Sequence, residues 1–151
     1  MNGRSKKKIL ILGSKGQIGS SLEIHLRKKY TVTGIDILNH KHEDLRSKNN
    51  KIDLLIKDTD FVYFLAFDVG GSRYMEKYQN SYQFIMNNIQ IMENVFVLLK
   101  KNKKKFIFAT SQMSNMIFSS YGILKKIGEN LTSSINGLNV RFWNVYGFET
   151  D

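Results

Sequence analysis

Two side chains near the C-terminus, Tyr121 and Lys125, have the types and the spacing that proton transfer requires. Residues four apart share one face of a helix, so the phenol and the ammonium become neighbours. An adjacent ammonium favours the phenolate, which lets a tyrosine exchange protons near neutral pH. Such pairs also occur by chance on helix surfaces, so the meaning of this pair depends on the rest of the chain.

A glycine-rich segment near the N-terminus is the second chemical feature. Gly13, Gly16 and Gly19 follow the apolar run from Ile9 to Leu12 and lead into a helical pattern. In a strand–turn–helix unit the first glycine permits a tight turn and the second lets the backbone approach a pyrophosphate. The third lets the helix pack closely on the strand. The helix N-terminus adds N–H donors and a positive dipole end for phosphate.

An acidic residue completes this dinucleotide fingerprint. Asp36 ends the second apolar strand pattern, where its carboxylate can accept hydrogen bonds from a ribose diol. The same charge would repel a 2′-phosphate, and no arginine is adjacent to it. The segment therefore predicts NAD rather than NADP; the alternative is a loop that merely requires glycine.

The elements that must position these residues alternate between strand and helix patterns. Short apolar or β-branched runs predict strands at 9–12, 30–35, 61–66, 106–109 and 138–143. Helical spacing predicts helices at 17–28, 52–57, 81–99 and 121–131, and the apolar stripe of the third, Ile85 to Leu99, predicts core. This order predicts an α/β fold, a doubly wound parallel sheet in three layers. The length predicts one domain over residues 1–151.

Composition narrows the function classes. The chain has no cysteine, which excludes disulfides and a thiolate nucleophile, and His25, His40 and His42 have no metal-ligand context. No apolar run reaches membrane-spanning length, and the run after Lys6 to Lys8 is too short for a signal peptide. We therefore expect no metal site, no membrane partner and a cytoplasmic location.

The net charge of +10 raises the question of nucleic acid. The lysines are spread along the chain, and their one dense run, residues 100–105, lies where a helix passes into a strand. A solvated surface explains this distribution better than a nucleic-acid interface. Positive charge is also compatible with an anionic nucleotide ligand.

Several motifs in the same order resemble the extended branch of the short-chain dehydrogenase/reductase superfamily, the nucleotide-sugar epimerases and dehydratases. Beyond the glycine fingerprint, the similar segments are Asp44-Leu45, Asp60 to Ala66, Asn88 to Val95, Phe106 to Ser111, Ser120 to Glu129 and Arg141 to Gly147. Together they cover nearly the whole chain.

The resemblance implies an NAD-binding Rossmann fold and transient oxidation of a nucleotide sugar. It implies catalytic roles for Ser111, Tyr121 and Lys125, with Thr110 as the alternative to Ser111. It implies that the cofactor contacts are Gly13, Gly16, Gln17, Ile18, Gly19, Asp36, Asp44, Leu45, Leu65, Ala66, Asn88, Tyr121 and Lys125. Epimerisation, dehydration and reduction all stay open, as do the sugar and the nucleotide.

Two of the implied details have alternatives. Asn88 either contacts the cofactor or simply bridges neighbouring backbone. The segment from Asp68 to Gly71 is similar to an acid-x-Gly-Gly loop of GDP-sugar epimerases, where the backbone lets substrate approach, and it is equally compatible with a plain turn.

The chain departs from the family pattern in two places. Only ten residues lead from Ser111 to Tyr121, which predicts a different sugar pocket. The sequence also ends at Asp151, so the substrate lobe is expected to be missing. A partner chain then supplies it, or the chain is a fragment, or it is an NAD-binding module without epimerase activity. The helices at 81–99 and 120–135 predict a homodimer by resemblance.

Overall fold

A single parallel sheet organises the protein. The computed structural model describes residues 5–48 and 50–145. The five strands are β1 (Lys8–Leu12), β2 (Thr31–Ile35), β3 (Phe61–Phe64), β4 (Phe106–Ser111) and β5 (Leu138–Phe142). Their order is β2-β1-β3-β4-β5, and every neighbouring pair is parallel. The chain therefore moves outward from β1 in one direction and then returns to continue in the other, which confirms the doubly wound fold.

Helices cover both faces of this sheet. They are α1 (Gln17–Arg27), α2 (Asn50–Asp58), α3 (Ser72–Tyr78), α4 (Tyr82–Lys101) and α5 (Ser120–Ser134). The larger core cluster joins α2, α4 and α5 to one face through residues such as Ile56, Phe96 and Leu124. The smaller cluster joins α1 to the other face through Leu26, Ile9 and Ile11. Alternate residues of β1 thus serve opposite faces, as expected of a central strand. Among the described residues, no helix is long and apolar enough to cross a membrane.

The sequence missed one helix and shifted several boundaries. Helix α3 lies in a segment to which the sequence assigned no element, and none of its residues is buried. Hydrophobic periodicity finds helices by their buried stripe, so a seven-residue helix without one gives no signal. Strand β4 extends to Ser111, two residues beyond its predicted end.

The apolar stripe predicted for α4 is partly wrong. Met92, Phe96 and Leu99 are buried as expected, but Ile89 is 38% exposed. The buried face instead includes Ile91 and Val95, and it begins at Phe84. Ser81 caps the helix, its hydroxyl accepting a hydrogen bond from the Phe84 N–H at 3.2 Å. The cap fixes where the helix starts and therefore which residues face the sheet.

Helix α5 approaches β4 at a position where only glycine fits. A Cβ on Gly128 would lie 2.4 Å from the ring atom Cε1 of Phe108. Phe108 is fully buried and packs against Phe64 and Phe96. The ring therefore cannot yield to an added methyl group, and this contact sets the distance between helix and sheet.

We expect Gly128→Ala to lower the free energy of unfolding by about 1–3 kcal/mol, the usual cost of overpacking a core. The loss should appear although alanine favours a helix more than glycine does. Urea unfolding followed by circular dichroism measures it. Gly71→Ala is the matched control, because a Cβ there would meet no atom within 4 Å. Equal stability of the two variants would contradict the close approach.

Candidate functional site

A cavity of about 770 Å³ opens beside the carboxyl ends of the strands. The loops after β1, β2 and β3 line it, together with the carboxyl ends of β4 and β5, the residues that follow β5 and the first two turns of α5. The sheet reverses its winding direction between β1 and β3, and such a switch point is where α/β folds bind ligands. The volume falls within the ordinary range for ligand cavities.

The glycine-rich turn forms one wall of this cavity. Gly13 has φ +91°, and a Cβ there would lie 2.6 Å from the backbone nitrogen of Ala66. A Cβ on Gly19 would lie 2.1 Å from the carbonyl oxygen of Gly13. Both positions therefore require glycine, one for conformation and closeness and the other for packing.

The middle glycine leaves room for a ligand. A Cβ on Gly16 would touch only the Gly13 carbonyl oxygen, at an ordinary 3.6 Å. Gly16 also precedes helix α1, whose N-terminus has no side-chain cap. Uncapped N–H groups that face open space at a helix start suit a phosphate group. The residues present therefore fit the pyrophosphate of a dinucleotide.

Asp36 lies at the end of β2 and lines the same cavity. Its carboxylate accepts hydrogen bonds from the Lys15 N–H at 2.8 Å and from the Leu38 N–H at 3.0 Å. These bonds hold it beside the glycine-rich turn. A carboxylate has about four acceptor sites, so two are left for a ligand hydroxyl.

Lys125 is the most unusual charge in the site. It is 4% exposed, and its Nζ donates to the carbonyl oxygen of Ala109 at 2.8 Å. The same nitrogen lies 3.6 Å from the centroid of the Phe67 ring. Burial lowers the pKa of this lysine to about 7, because no carboxylate compensates the charge.

Tyr121 and Lys125 share one face of α5 as the sequence predicted, but their electrostatic relation differs. Burial raises the pKa of the Tyr121 phenol, and a hydrogen bond with Ser111 acts in the opposite direction. The expectation that the ammonium favours the phenolate is therefore not met in this state. Lys125 Nζ lies 5.7 Å from the Tyr121 ring centroid and bonds elsewhere. The net effect is a raised pKa for Tyr121, which favours the protonated phenol.

Thr110 and Ser111 both line the cavity, but their hydroxyl groups have different partners. Thr110 is 3% exposed and donates its hydroxyl to Glu129 Oε1 at 3.0 Å. Glu129 also takes two hydrogen bonds of 2.7 Å from Arg141, and these hold the pKa of its carboxyl at about 2. This ion pair, with the Thr110 hydrogen bond, joins α5 to β5 and β4. The Thr110 hydroxyl therefore supports the fold, whereas the Ser111 hydroxyl accepts the Met113 N–H at 3.2 Å and lies within hydrogen-bond reach of Tyr121.

A polar network that the sequence did not reveal crosses the cavity rim. Arg46 forms a close ion pair with Asp44 at 2.7 Å and donates from Nη1 to Asn87 Oδ1 at 3.1 Å. Asn87 donates in turn to Asp68 Oδ2 at 2.8 Å, and the Tyr74 hydroxyl donates to Asp68 Oδ1 at 2.7 Å. Arg46 and Asn87 lie 41 positions apart in the chain, and Asn87 and Asp68 lie 19 apart, so no local pattern could have predicted the network.

Asn88 is the one proposed cofactor contact that does not line the cavity. It is fully buried, and its Oδ1 accepts the Asp68 N–H at 2.7 Å. Its amide nitrogen donates to the carbonyl oxygens of Asp68 at 3.1 Å and Phe84 at 3.0 Å. This is the backbone-bridging alternative, by which Asn88 positions the loop after β3.

The other predicted residues converge on the cavity. Its walls include Gly13, Gly16, Gln17, Ile18, Gly19, Asp36, Asp44, Leu45, Leu65, Ala66, Ser111, Tyr121 and Lys125. The last part of the Arg141 to Gly147 motif, residues 146 and 147, lies outside the described residues. Phe67 also lines the cavity although the sequence did not single it out.

Comparison with known proteins supports this assignment. The sequence profile of the NAD dependent epimerase/dehydratase family matches residues 9–149. The chain belongs to this family. This match confirms the family resemblance that the sequence motifs indicated. A search of curated proteins gives no significant match.

Solved structures share the fold. L-threonine dehydrogenase from Clostridium difficile has a TM-score of 0.74 and 24% identity, covering 92% of this chain and 54% of its own. A GDP-D-glycero-L-gluco-heptose synthase from Campylobacter jejuni, determined with NADPH, has a TM-score of 0.78 and 21% identity, covering 98% and 50%. The dTDP-4-dehydrorhamnose reductase of Bacillus anthracis, in complex with NADP, has a TM-score of 0.76 and 16% identity, covering 100% and 58%. The chain thus spans about half the length of these proteins.

The buried lysine predicts a pH dependence of stability. The pKa of Lys125 is about 7 in the fold and near 10.5 when unfolded, so between these values only the unfolded chain binds this proton. Stability should therefore rise with pH across this window, by at most about 1.4 kcal/mol per pH unit. Lys125→Met should remove that contribution, which urea titrations from pH 7 to 10 measure as a difference from wild type.

The control is Lys126→Met, which removes a neighbouring lysine whose side chain is 50% exposed. Its stability should follow the wild-type pH slope. A Lys125→Met slope equal to that of wild type would show that Lys125 keeps its proton in the fold.

Proposed function

We propose that this chain is an NAD-dependent oxidoreductase domain that acts on a nucleotide sugar, with Ser111, Tyr121 and Lys125 as catalytic residues. The observation that carries the proposal is their convergence on the same cavity as the glycine-rich turn and Asp36. Similar structures act on GDP- and dTDP-linked sugars, which supports this substrate class. Transient oxidation by an epimerase or dehydratase is the finer proposal.

The chain's own residues supply positioning and proton transfer. NAD, when bound, accepts or returns hydride at a sugar carbon. Ser111 hydrogen-bonds the oxygen on that carbon and orients it. Tyr121, whose pKa is raised by burial, donates its proton to that oxygen in the reducing direction and recovers it in the oxidising direction. Lys125 lies one helical turn further on and would hold the nicotinamide ribose.

The second candidate is a module that binds NAD without epimerase activity. It is favoured by the present orientation of Lys125, whose Nζ meets the Ala109 carbonyl and the Phe67 ring. In the first candidate this ammonium must meet the ribose. Three predictions of the sequence stay predictions: a homodimer, a cytoplasmic location, and a partner chain that supplies a substrate lobe.

The cofactor proposal predicts a preference for NADH over NADPH. The Asp36 carboxylate can accept from a ribose diol, whereas a 2′-phosphate there would face a like charge. We expect NADH to bind at least about tenfold more tightly, a difference of about 1.4 kcal/mol. Asp36→Asn, which keeps the shape of the side chain and removes its charge, should reduce the difference between the NADH and NADPH affinities. Fluorescence titration of both cofactors measures it, and equal affinities in wild type would oppose the NAD assignment.

The catalytic proposal predicts that Tyr121→Phe loses turnover while keeping the fold. Removing a positioned acid or base costs about 100-fold or more. The assay is reduction of bound NAD, or product formation, with UDP-, GDP- and dTDP-sugars. NADH affinity of the variant serves as the control for an intact site. If wild type and Tyr121→Phe are equally inactive while both bind NADH, the second candidate is correct.

A further inference from the structure

Phe67 has a place in the site that neither the motifs nor the family assignment explains. It follows Leu65 and Ala66 at the end of β3, and its half-buried ring lines the cavity. The centroid of the ring lies 3.6 Å from Lys125 Nζ, and its edge contacts Tyr121 with the centroids 5.8 Å apart. The ring therefore touches both residues of the proton-transfer pair.

The distance leaves no room for a ligand between ring and ammonium. A hydroxyl oxygen bonded to an ammonium lies about 2.8 Å from the nitrogen. An oxygen in that direction would overlap a ring centred 3.6 Å away. The ammonium has three donors, of which one goes to Ala109 and another points at the Phe67 face. Lys125 therefore cannot donate hydrogen bonds to both hydroxyls of a diol in this conformation.

The contact is also favourable in itself. A cation over the face of an aromatic ring is attracted by the negative charge of that face, and more strongly when both are removed from water. Lys125 is 4% exposed, so water competes little for it. The lysine is consequently held by residues of its own chain before any ligand arrives.

We propose that Phe67 is a specificity-determining residue, because its ring obstructs the nicotinamide half of the site. The ring occupies the direction from which a ribose diol would reach Lys125. The inference rests on the proposed function, since it assumes that NAD binds here. Phe67 leaves the wall formed by Gly16 and Asp36 untouched. The whole dinucleotide should therefore bind hardly better than its adenosine half until the ring is displaced.

The test compares the affinities of NADH and ADP for the 151-residue chain. In Phe67→Ala we expect the affinity for NADH to rise about tenfold, the scale of one hydrogen bond to a charged group, with that for ADP unchanged within about twofold. Phe67→Leu keeps apolar bulk at the site and should show a smaller gain. Phe61→Ala removes a half-buried ring at the opposite end of β3 and should change neither affinity.

A second measurement needs no cofactor. Brief reaction with an amine-acylating reagent, followed by peptide mass spectrometry, reports how accessible Lys125 is. We expect Lys125 to be protected in wild type and Phe61→Ala and to be modified several-fold faster in Phe67→Ala. Circular dichroism before the reaction shows whether each variant is folded.

The outcomes separate this inference from the proposed function. A rise in NADH affinity alone, with faster labelling of Lys125, supports the obstruction. If ADP binds but NADH and ADP respond equally to Phe67→Ala, or if the labelling rate is unchanged, the obstruction is wrong and the cofactor site stands. If wild type binds neither ADP nor NADH, the proposed function fails and the inference with it.

Discussion

The backbone approach between the glycine-rich turn and the end of β3 is the constraint on which the site depends. Gly13 meets the backbone of Ala66, and Gly19 meets the carbonyl of Gly13, at distances that exclude any side chain. Gly13 and Ser14 also donate their N–H groups to the Ile35 carbonyl oxygen at 2.8 and 3.2 Å. The ends of β1, β2 and β3 and the start of α1 are thus joined at one point. The cavity exists because these elements diverge from there.

Two buried charged side chains on α5 have contrasting surroundings. One is paired with an opposite charge and the other is not. Glu129 is surrounded by Arg141 and Thr110, so its charge is fully compensated and its carboxyl stays ionised. Lys125, one turn earlier, has a carbonyl oxygen and the faces of aromatic rings, with Phe67 nearest, and no ion pair within the described part of the chain. A compensated charge anchors two strands to a helix. An uncompensated one is costly to the fold and available to a ligand, because a better partner lowers its energy.

Much of the fold could be predicted because hydrophobic periodicity reports burial directly. All five strands and four of the five α-helices leave such a pattern, and the chain order of strands and helices then restricts the topology. The register of α4 was harder, since Ile89 and Ile91 are both apolar and only the packing shows which is buried. Helix α3 left no pattern at all, because none of its residues is buried.

By itself, the sequence determined the residue types that the site requires, namely the glycines of the turn, Asp36 and the Tyr121–Lys125 pair. Such features can be recognised from the sequence, because only glycine meets certain steric limits and because the helical period is fixed. Tertiary structure alone decided how the charges are compensated. Phe67 contacts Lys125 although 58 positions separate them in the chain. That contact, together with burial, decides whether the ammonium interacts with the Tyr121 phenol or with the Phe67 ring. Desolvation and contact depend on distances through space, which no local pattern in the chain encodes.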